Sequence, residues 1–214
     1  MNPLRRPFRY RYDSIVLYLI GINILVFLLQ EILPRLFRFD LTAYAALNPV
    51  LVIRYRMIWQ FVSYMFTHGG ISHLLFNMLA LFIFGTQVER RLGSREFLLY
   101  YMATGVLAGV FSFAVYWFTG LYHVFLLGAS GAIFAVQLAY AVLFPDSVVF
   151  LWGILPLRAP VMILGFTAIE LFSQVFGRGS NVAHLTHLAG FAFGWLYFLV
   201  RFGANPWKAL TRRR

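Results

Sequence analysis

Ser130 is the side chain of this sequence best placed for chemistry. It lies between Gly128 and Gly131, at the start of an apolar stretch that carries no charge until Asp146. A serine hydroxyl attacks a carbonyl carbon when a nearby base takes its proton. His187 lies near the start of another apolar stretch and could be that base. The two residues predict a nucleophile and its general base on two membrane helices, provided that both helices enter from the same side.

His73 and Asn77 could serve the same reaction as hydrogen-bond donors. They are four residues apart, so both project from one face of a helix. Acyl transfer needs donors where the tetrahedral oxyanion forms, and the backbone N–H groups at the start of a helix add to such side chains. His73, Asn77 and the backbone N–H of Ser130 are therefore candidate oxyanion donors.

The composition indicates an integral membrane protein. Of the 214 residues, 61% are hydrophobic and 12% are charged, well away from the balance of a soluble domain. Apolar stretches of about the 20 residues that cross a bilayer can be drawn six times. The first follows several arginines but has no small-residue cleavage site, so we interpret it as a retained helix. The predicted spans are approximately 14–33, 73–88, 97–118, 128–145, 159–177 and 182–200.

The basic residues predict the topology. With six spans and the N-terminus inside, 13 of the 18 Lys and Arg residues lie inside and five lie outside, in agreement with the positive-inside rule. We therefore expect both termini, segments 1–13 and 203–214, to be cytoplasmic and Ser130 to lie toward the outer leaflet. This topology and attraction to anionic lipid headgroups explain the net charge of +11 without a nucleic-acid partner.

We expect residues 1–214 to form a single all-α domain, a polytopic bundle of six transmembrane helices. The apolar and aromatic segment 34–72 predicts a first loop with short helices in the outer interface, because Trp and Tyr favour that level. The absence of cysteine excludes disulfides, thiol catalysis and thiolate metal sites. Neither the composition nor the motifs specify an oligomeric state.

Small residues predict that two of these helices pack closely. Gly190 and Gly194 form one small-residue face, and Gly128 and Gly131 begin another that continues through alanines. Such faces let the backbones of membrane helices approach each other. His187 lies three residues before Gly190, so a pair with Ser130 is favoured by spacing.

Together these motifs resemble those of the rhomboid intramembrane serine proteases in their basic six-helix form. The resemblance covers nearly the whole chain, and its ordered set of motifs is far more specific than the GxSG segment alone. The matching residues are Trp59, His73 and Asn77, the segment 89–94, Gly128-Ala129-Ser130-Gly131, and His187 with Gly190 and Gly194.

The resemblance implies that Ser130 attacks a peptide carbonyl to form an acyl-enzyme, with His187 as general base and then acid. It also implies His73, Asn77 and the Ser130 N–H as oxyanion donors, a serine–histidine dyad, and no metal or organic cofactor. Family members cleave other membrane proteins in or beside a transmembrane segment. Six spans without an added helix resemble bacterial members, so the expected location is a bacterial cytoplasmic membrane.

Three residues depart from the family pattern. Gln60 replaces the arginine that usually follows Trp59, so we expect amide hydrogen bonds to hold the first loop. Phe134 replaces a tyrosine one turn after the serine, which keeps ring stacking on His187 but loses the hydroxyl. Thr186 stands where a small residue, usually alanine, precedes the histidine.

Other interpretations remain open from sequence alone. A catalytically silent rhomboid-like binding protein would usually lose the serine or histidine, whereas this chain keeps both. A transporter or metal-handling channel could use the histidines, but it leaves Ser130 and Asn77 unexplained. Glu170, in the fifth predicted span, has no evident basic partner, so we expect it to be protonated or hydrogen-bonded between helices. His68 is interpreted as a loop or cavity-rim residue and His184 as a local structural residue, and no acidic residue is expected near His187.

Overall fold

The protein is a predominantly helical bundle. The computed structural model describes residues 8–151, 153–176 and 182–211. The helices are α1 (Ile15–Phe37), α2 (Leu41–Ala45), α3 (Pro49–Tyr55), α4 (Gln60–Ser63), α5 (Ile71–Ala80), α6 (Thr86–Leu92), α7 (Ser94–Phe118), α8 (Ser130–Leu143), α9 (Ala159–Phe176), α10 (Val182–Tyr197) and α11 (Pro206–Leu210). A 3₁₀ turn, Tyr64–Phe66, follows α4, and π-helical turns join α5 to α6 (Leu81–Gly85) and extend α10 (Phe198–Phe202).

Four of the six predicted spans correspond to helices that are long enough to cross a membrane. In the described residues, four helical segments are long and apolar enough to cross a membrane: Ile15–Phe37, Ile71–Leu92, Ser94–Phe118 and His184–Phe202. The fourth and fifth predicted spans are shorter apolar helices, and α8 covers 14 residues instead of the expected 128–145. At 1.5 Å per residue α8 is about 21 Å long, less than the roughly 30 Å hydrocarbon core. The count of six spans therefore stays a prediction.

The segment between α1 and α5 folds into short helices, as expected. Asp40 accepts a hydrogen bond from the backbone N–H of Ala43 at the start of α2, and Asn48 accepts one from Leu51 at the start of α3. Asp and Asn are favoured at such positions because their side chains satisfy free N–H groups in the first turn. Local capping thus explains where these two short helices begin.

Glu89 attaches the start of α1 to the end of α6. Its carboxylate accepts hydrogen bonds from the backbone N–H groups of Ile15 at 2.7 Å and Val16 at 3.0 Å. Ser94 donates to the same carboxylate and accepts from the backbone N–H of Asp13 at 2.7 Å. A carboxylate at a helix N-terminus satisfies N–H groups that have no partner within the helix.

A buried ion pair connects α7 to the end of α10. Glu96, 2% exposed, receives two hydrogen bonds of 2.8 Å from the Arg201 guanidinium and one of 2.6 Å from the Tyr197 hydroxyl. The two-point geometry matches the planar fork of arginine to a carboxylate. This contact lies at the end of α10 opposite His187, so the helix is fixed at both ends.

A short β-hairpin departs from the expected all-helical bundle. Strands β1 (Val148–Leu151) and β2 (Leu155–Arg158) form an antiparallel hairpin between α8 and α9. Its base carries an ion pair of 2.9 Å between Arg158 and Asp146. Sequence analysis missed this hairpin, although a short run of Val, Phe and Leu followed by Gly153 is a hairpin signal.

Candidate active site

Ser130 is the first residue of α8, and the backbone before it is shaped by glycine. Gly128 has φ +113°, a conformation that L side chains rarely adopt, and a Cβ there would lie 2.7 Å from His73 Cε1. Its N–H donates to the carbonyl of Tyr64, which ties this turn to the first loop. Glycine at this position lets the chain pass directly over His73 before α8 begins.

His187 faces Ser130 from α10. Its Nε2 atom lies 2.8 Å from the Ser130 Oγ atom, a hydrogen-bond distance. The approach depends on Gly190, where a Cβ would lie only 2.0 Å from the carbonyl oxygen of Gly131. Gly194 continues this contact, since a Cβ there would lie 3.1 Å from the Cβ of Ala135. The predicted glycine faces therefore meet, and they bring the hydroxyl and the imidazole together.

Phe134 fixes the plane of the imidazole. Its ring stacks on His187 with the centroids 4.3 Å apart and the planes 10° from parallel. Phe191 packs edge-on against Phe134 from α10. The expected stacking is confirmed, and it restricts rotation of the His187 ring about its Cβ–Cγ bond.

His73 and Asn77 lie on α5 beside the turn that precedes Ser130. In the described part of the chain, the buried Asn77 Nδ2 has no hydrogen-bond partner. A Cβ on Gly128 would lie 2.8 Å from His73 Nε2 and 3.7 Å from Asn77 Nδ2, so both nitrogens approach the same glycine. His73 Nδ1 accepts from the backbone N–H of Gly69 at 3.4 Å, which leaves the proton on Nε2. Both α5 nitrogens are therefore donors directed at the turn before Ser130.

Glu170 on α9 lies against the other edge of His187. Its Oε1 atom is 3.1 Å from His187 Nδ1, within ion-pair distance but without the alignment of a direct hydrogen bond. Its Oε2 atom is 2.5 Å from His184 Nδ1. The expectation of an interhelical hydrogen bond at Glu170 is confirmed. The expectations that Glu170 has no basic partner and that no acidic residue lies near His187 are wrong.

Amide hydrogen bonds hold the first loop, as expected from Gln60. This side chain is fully buried, and its Oε1 atom accepts from the backbone N–H of Asn48 at 3.0 Å. Its Nε2 atom donates to the carbonyls of Tyr44 at 3.2 Å and Ala43 at 3.4 Å. Trp59 donates its indole N–H to the same Tyr44 carbonyl at 3.1 Å.

His68 connects the loop to α1 through its backbone. Its N–H donates to the Gln30 side chain, which in turn donates to the His68 carbonyl. Burial, with a smaller contribution from the neighbouring His73, lowers the pKa of His68 to about 4, so the ring stays neutral. His68 therefore lies in the loop between α1 and α5, in agreement with its interpretation as a loop residue.

The comparison with family models decides the relationship. Residues 55–204, well over half of the chain, match the rhomboid domain. The chain belongs to the rhomboid family. It is an integral membrane protein, and the matched region contains Ser130, His187, His73, Asn77 and Glu170.

Curated relatives support this family assignment. The chain is 33% identical over 199 residues to "Rhomboid protein 1, mitochondrial" of Saccharomyces cerevisiae, covering 89% of this chain and 55% of the relative. It is 31% identical over 140 residues to "Putative rhomboid protease YdcA" of Bacillus subtilis, covering 64% of each chain. It is 28% identical over 193 residues to "Rhomboid protease GlpG" of Serratia proteamaculans, covering 88% of this chain and 63% of the relative. The chain thus spans between about half and two thirds of the length of these relatives.

The rhomboid site contains one acidic residue that the motifs did not reveal. The positions of the residues along the two helices could have suggested it, because Glu170 lies six residues before the end of α9 and His184 lies two residues after the start of α10.

Thr186, the third departure from the family pattern, is buried and pairs with the hydroxyl of Ser112 at 2.7 Å. Its side chain occupies the space beside Gly131, where a Cβ would lie 3.1 Å from Thr186 Cγ2.

Proposed function

We propose that this rhomboid protein is an intramembrane serine endopeptidase in which Ser130 is the nucleophile and His187 is the general base and acid. The observation that carries the proposal is the 2.8 Å contact between His187 Nε2 and Ser130 Oγ. Two helices hold this contact through glycine backbones, and a stacked ring orients the base. A pre-oriented pair of this kind can activate a serine hydroxyl.

The proposed reaction proceeds through an acyl-enzyme. His187 takes the Ser130 proton as Oγ attacks the peptide carbonyl carbon, and it then gives that proton to the leaving amine. A water molecule, activated by the same histidine, hydrolyses the ester and restores the hydroxyl. The carbonyl oxygen becomes negatively charged at each tetrahedral stage, so preorganised donors accelerate both steps.

The oxyanion donors in this proposal are His73, Asn77 and the backbone N–H of Ser130. The buried Nδ2 atom of Asn77, which has no hydrogen-bond partner in the described residues, supports this role, because such a donor is costly unless it meets an acceptor during function. Its direction toward Gly128, two residues before the nucleophile, supports it further.

The substrates in this proposal are transmembrane segments of other membrane proteins. Two of the three relatives described above carry the word protease in their names, which supports this class of activity. We propose a bacterial cytoplasmic membrane as the location, with cytoplasmic termini and the active site toward the outer leaflet. The excess of basic residues on the predicted inner side supports this orientation.

Reconstitution tests the peptidase activity directly. The full chain is placed in liposomes with a single-span protein that has a small residue near the outer end of its transmembrane segment. We expect cleavage by the wild type and none by Ser130→Ala or His187→Ala. Ser147→Ala is the matched control, since this serine lies beyond the other end of α8 and its hydroxyl donates to the local Phe144 carbonyl.

A fluorophosphonate probe tests the nucleophile without a chosen substrate. The probe should label the wild type and Ser147→Ala, and it should spare Ser130→Ala. Cleavage that persists in Ser130→Ala would refute the serine mechanism. A wild-type protein that is folded but neither labelled nor active would indicate a silent rhomboid-like binding protein.

A further inference from the structure

We infer that Glu170 is a positioning residue that extends Ser130 and His187 into a serine–histidine–glutamate triad, with His184 holding the carboxylate in place. This inference rests on the proposed peptidase function and assigns a role to a residue outside the motifs that predict it. The protein would then differ from the serine–histidine dyad that the family resemblance implies.

The two nitrogens of His187 face two different partners. Nε2 lies 2.8 Å from the Ser130 hydroxyl on α8, and Nδ1 lies 3.1 Å from the Glu170 carboxylate on α9. A carboxylate at Nδ1 favours the tautomer with the proton on that nitrogen, and the lone pair of Nε2 then faces the hydroxyl. That tautomer is the one that can accept the serine proton. Phe134 sets the plane of the ring, and Glu170 would set its rotation within that plane.

Glu170 differs from the other acidic residues in its partners. All seven acidic residues of the chain lie in the described part. Glu89 and Asp40 cap helices, whereas the remaining four form ion pairs with arginines: Asp13 with Arg11, Glu31 with Arg35, Glu96 with Arg201 and Asp146 with Arg158. Only Glu170, among these seven, contacts histidines, and its side chain is 12% exposed within an apolar helix. A carboxylate at such a position is expensive, which favours a functional role.

His184 provides a second attachment for the same carboxylate. It lies three residues before His187 on α10, so both imidazoles project toward α9 from one face of the helix. His184 Nδ1 lies 2.5 Å from the Oε2 atom of Glu170, and the Oε1 atom faces His187. Because the hydrogen bond to His184 fixes one carboxylate oxygen, the other oxygen is held beside the Nδ1 atom of His187. His184 is 33% exposed, so it lies on the open side of the cluster.

A metal ion is the main competing explanation for this cluster. Glu170, His184 and His187 each offer a ligand atom, and these atoms lie within 4.8 Å of one another. Two ligands on a tetrahedral zinc ion, each about 2.0–2.1 Å from the metal, are about 3.3 Å apart. The carboxylate and His184 are 2.5 Å apart, closer than ligands on a shared ion would be. The geometry therefore favours a direct hydrogen bond over a shared cation.

In the proposed step, the proton of Ser130 moves to Nε2 of His187 as the Oγ–carbon bond forms. The ring becomes a cation, and the ionised Glu170 stabilises it without taking a proton itself. The proton then leaves with the departing amine, and His187 returns to its neutral form. Glu170 touches neither the substrate nor the reacting atoms, so its effect should appear in the turnover number.

The test compares Glu170→Gln, Glu170→Asp and wild type as full chains in liposomes, each with and without a chelator. We expect Glu170→Gln to lower kcat by roughly 10- to 1,000-fold with little change in KM, because glutamine keeps the shape but not the charge. Fluorophosphonate labelling should slow in parallel. Glu170→Asp should restore part of the lost kcat, since it restores the carboxylate. Gly165→Ala, on the same helix with nothing within 4 Å of the added Cβ, is the control.

The possible outcomes separate this inference from the proposed function. Ser130-dependent cleavage with a wild-type kcat in Glu170→Gln would overturn the triad and leave a dyad peptidase. Equal losses in Glu170→Gln and Glu170→Asp, with lowered melting temperatures, would also overturn it in favour of a structural role. Loss of wild-type activity in chelator would overturn it in favour of a metal. Absence of Ser130-dependent reactivity in the wild type would instead refute the peptidase function itself.

Discussion

The two sides of α10 are built in different ways. Toward α8, glycines bring the backbones together, and a Cβ on Gly190 would lie 2.0 Å from the carbonyl oxygen of Gly131. Toward α9, the described contact is made by long polar side chains, with Glu170 between His184 and His187. An apolar groove of about 480 Å³ remains on this side, lined by residues that include Leu138, Leu164 and Leu188.

The difference separates two tasks that a serine peptidase must perform. A backbone contact has almost no freedom, so the α8 side can hold the distance between nucleophile and base. A side-chain contact can adjust by rotation, so the α9 side can orient the base without fixing the helices. The proposed chemistry therefore depends on α8 for distance and on α9 for direction.

Gly190→Ala should have the largest effect, because it breaks the α8 side directly. The added methyl group would meet a backbone carbonyl that cannot rotate away, so α8 and α10 must separate. Overpacking of this kind usually costs about 1–3 kcal/mol and occasionally more. We expect a lowered melting temperature in detergent and loss of cleavage and fluorophosphonate labelling. Wild-type labelling in Gly190→Ala would show that the contact does not set the distance.

Gly194→Ala should produce the same defect in a weaker form. Its added Cβ would lie 2.6 Å from the Tyr100 hydroxyl and 3.1 Å from the Cβ of Ala135, one turn further from the active site. The Tyr100 hydroxyl donates to the carbonyl of Ala135 at 2.6 Å and would have to move. We expect a smaller loss of stability than in Gly190→Ala, with partial labelling. Equal activity in both glycine variants would contradict this gradient.

His184→Ala should lower activity while the fold is retained, since it loosens only the α9 side. The Oε2 atom of Glu170 would lose its hydrogen-bond partner, so the carboxylate would orient the His187 ring less well. We expect kcat to fall by about 3- to 30-fold, smaller than the effect of Glu170→Gln. When His184→Ala is combined with Glu170→Gln, we expect kcat to be little lower than in Glu170→Gln alone, because both residues act through one carboxylate. Additive losses would mean that His184 acts independently.

Gly165→Ala should have the smallest effect. Nothing lies within 4 Å of the Cβ that this substitution adds, and an alanine favours a helix more than a glycine does. We expect unchanged kcat and a melting temperature equal to or slightly above that of the wild type. A lowered kcat would indicate that the exposed face of α9 contributes to the reaction, for example through contact with the substrate.

The sequence predicted the contacts that depend on regular spacing along one helix. Gly190 and Gly194 recur at four residues, as do His73 and Asn77, so their shared faces follow from helix geometry alone. The partner of Glu170 depends instead on how α9 is rotated about its axis. An apolar helix in lipid lacks the polar and apolar faces that would reveal this rotation from sequence.

Two further elements were missed for different reasons. The hairpin between α8 and α9 lies in the short connection between the fourth and fifth predicted spans, and its Val, Phe and Leu residues favour strands. Glu89 and Ser94 were recognised as parts of a motif, but their partners are backbone atoms of residues 13–16. Side-chain patterns give no information about partners of that kind.

The Glu89 contact has an evolutionary consequence for the first helix. The carboxylate binds the N–H groups of positions 15 and 16, and every amino acid except proline provides these groups. Position 16 is also limited in size, because Val16 packs where Gly85 leaves space. We therefore expect the residue at position 15 to vary among relatives while the attachment of the helix persists. Proline at position 15 should be avoided, although the first turn of a helix ordinarily accepts it.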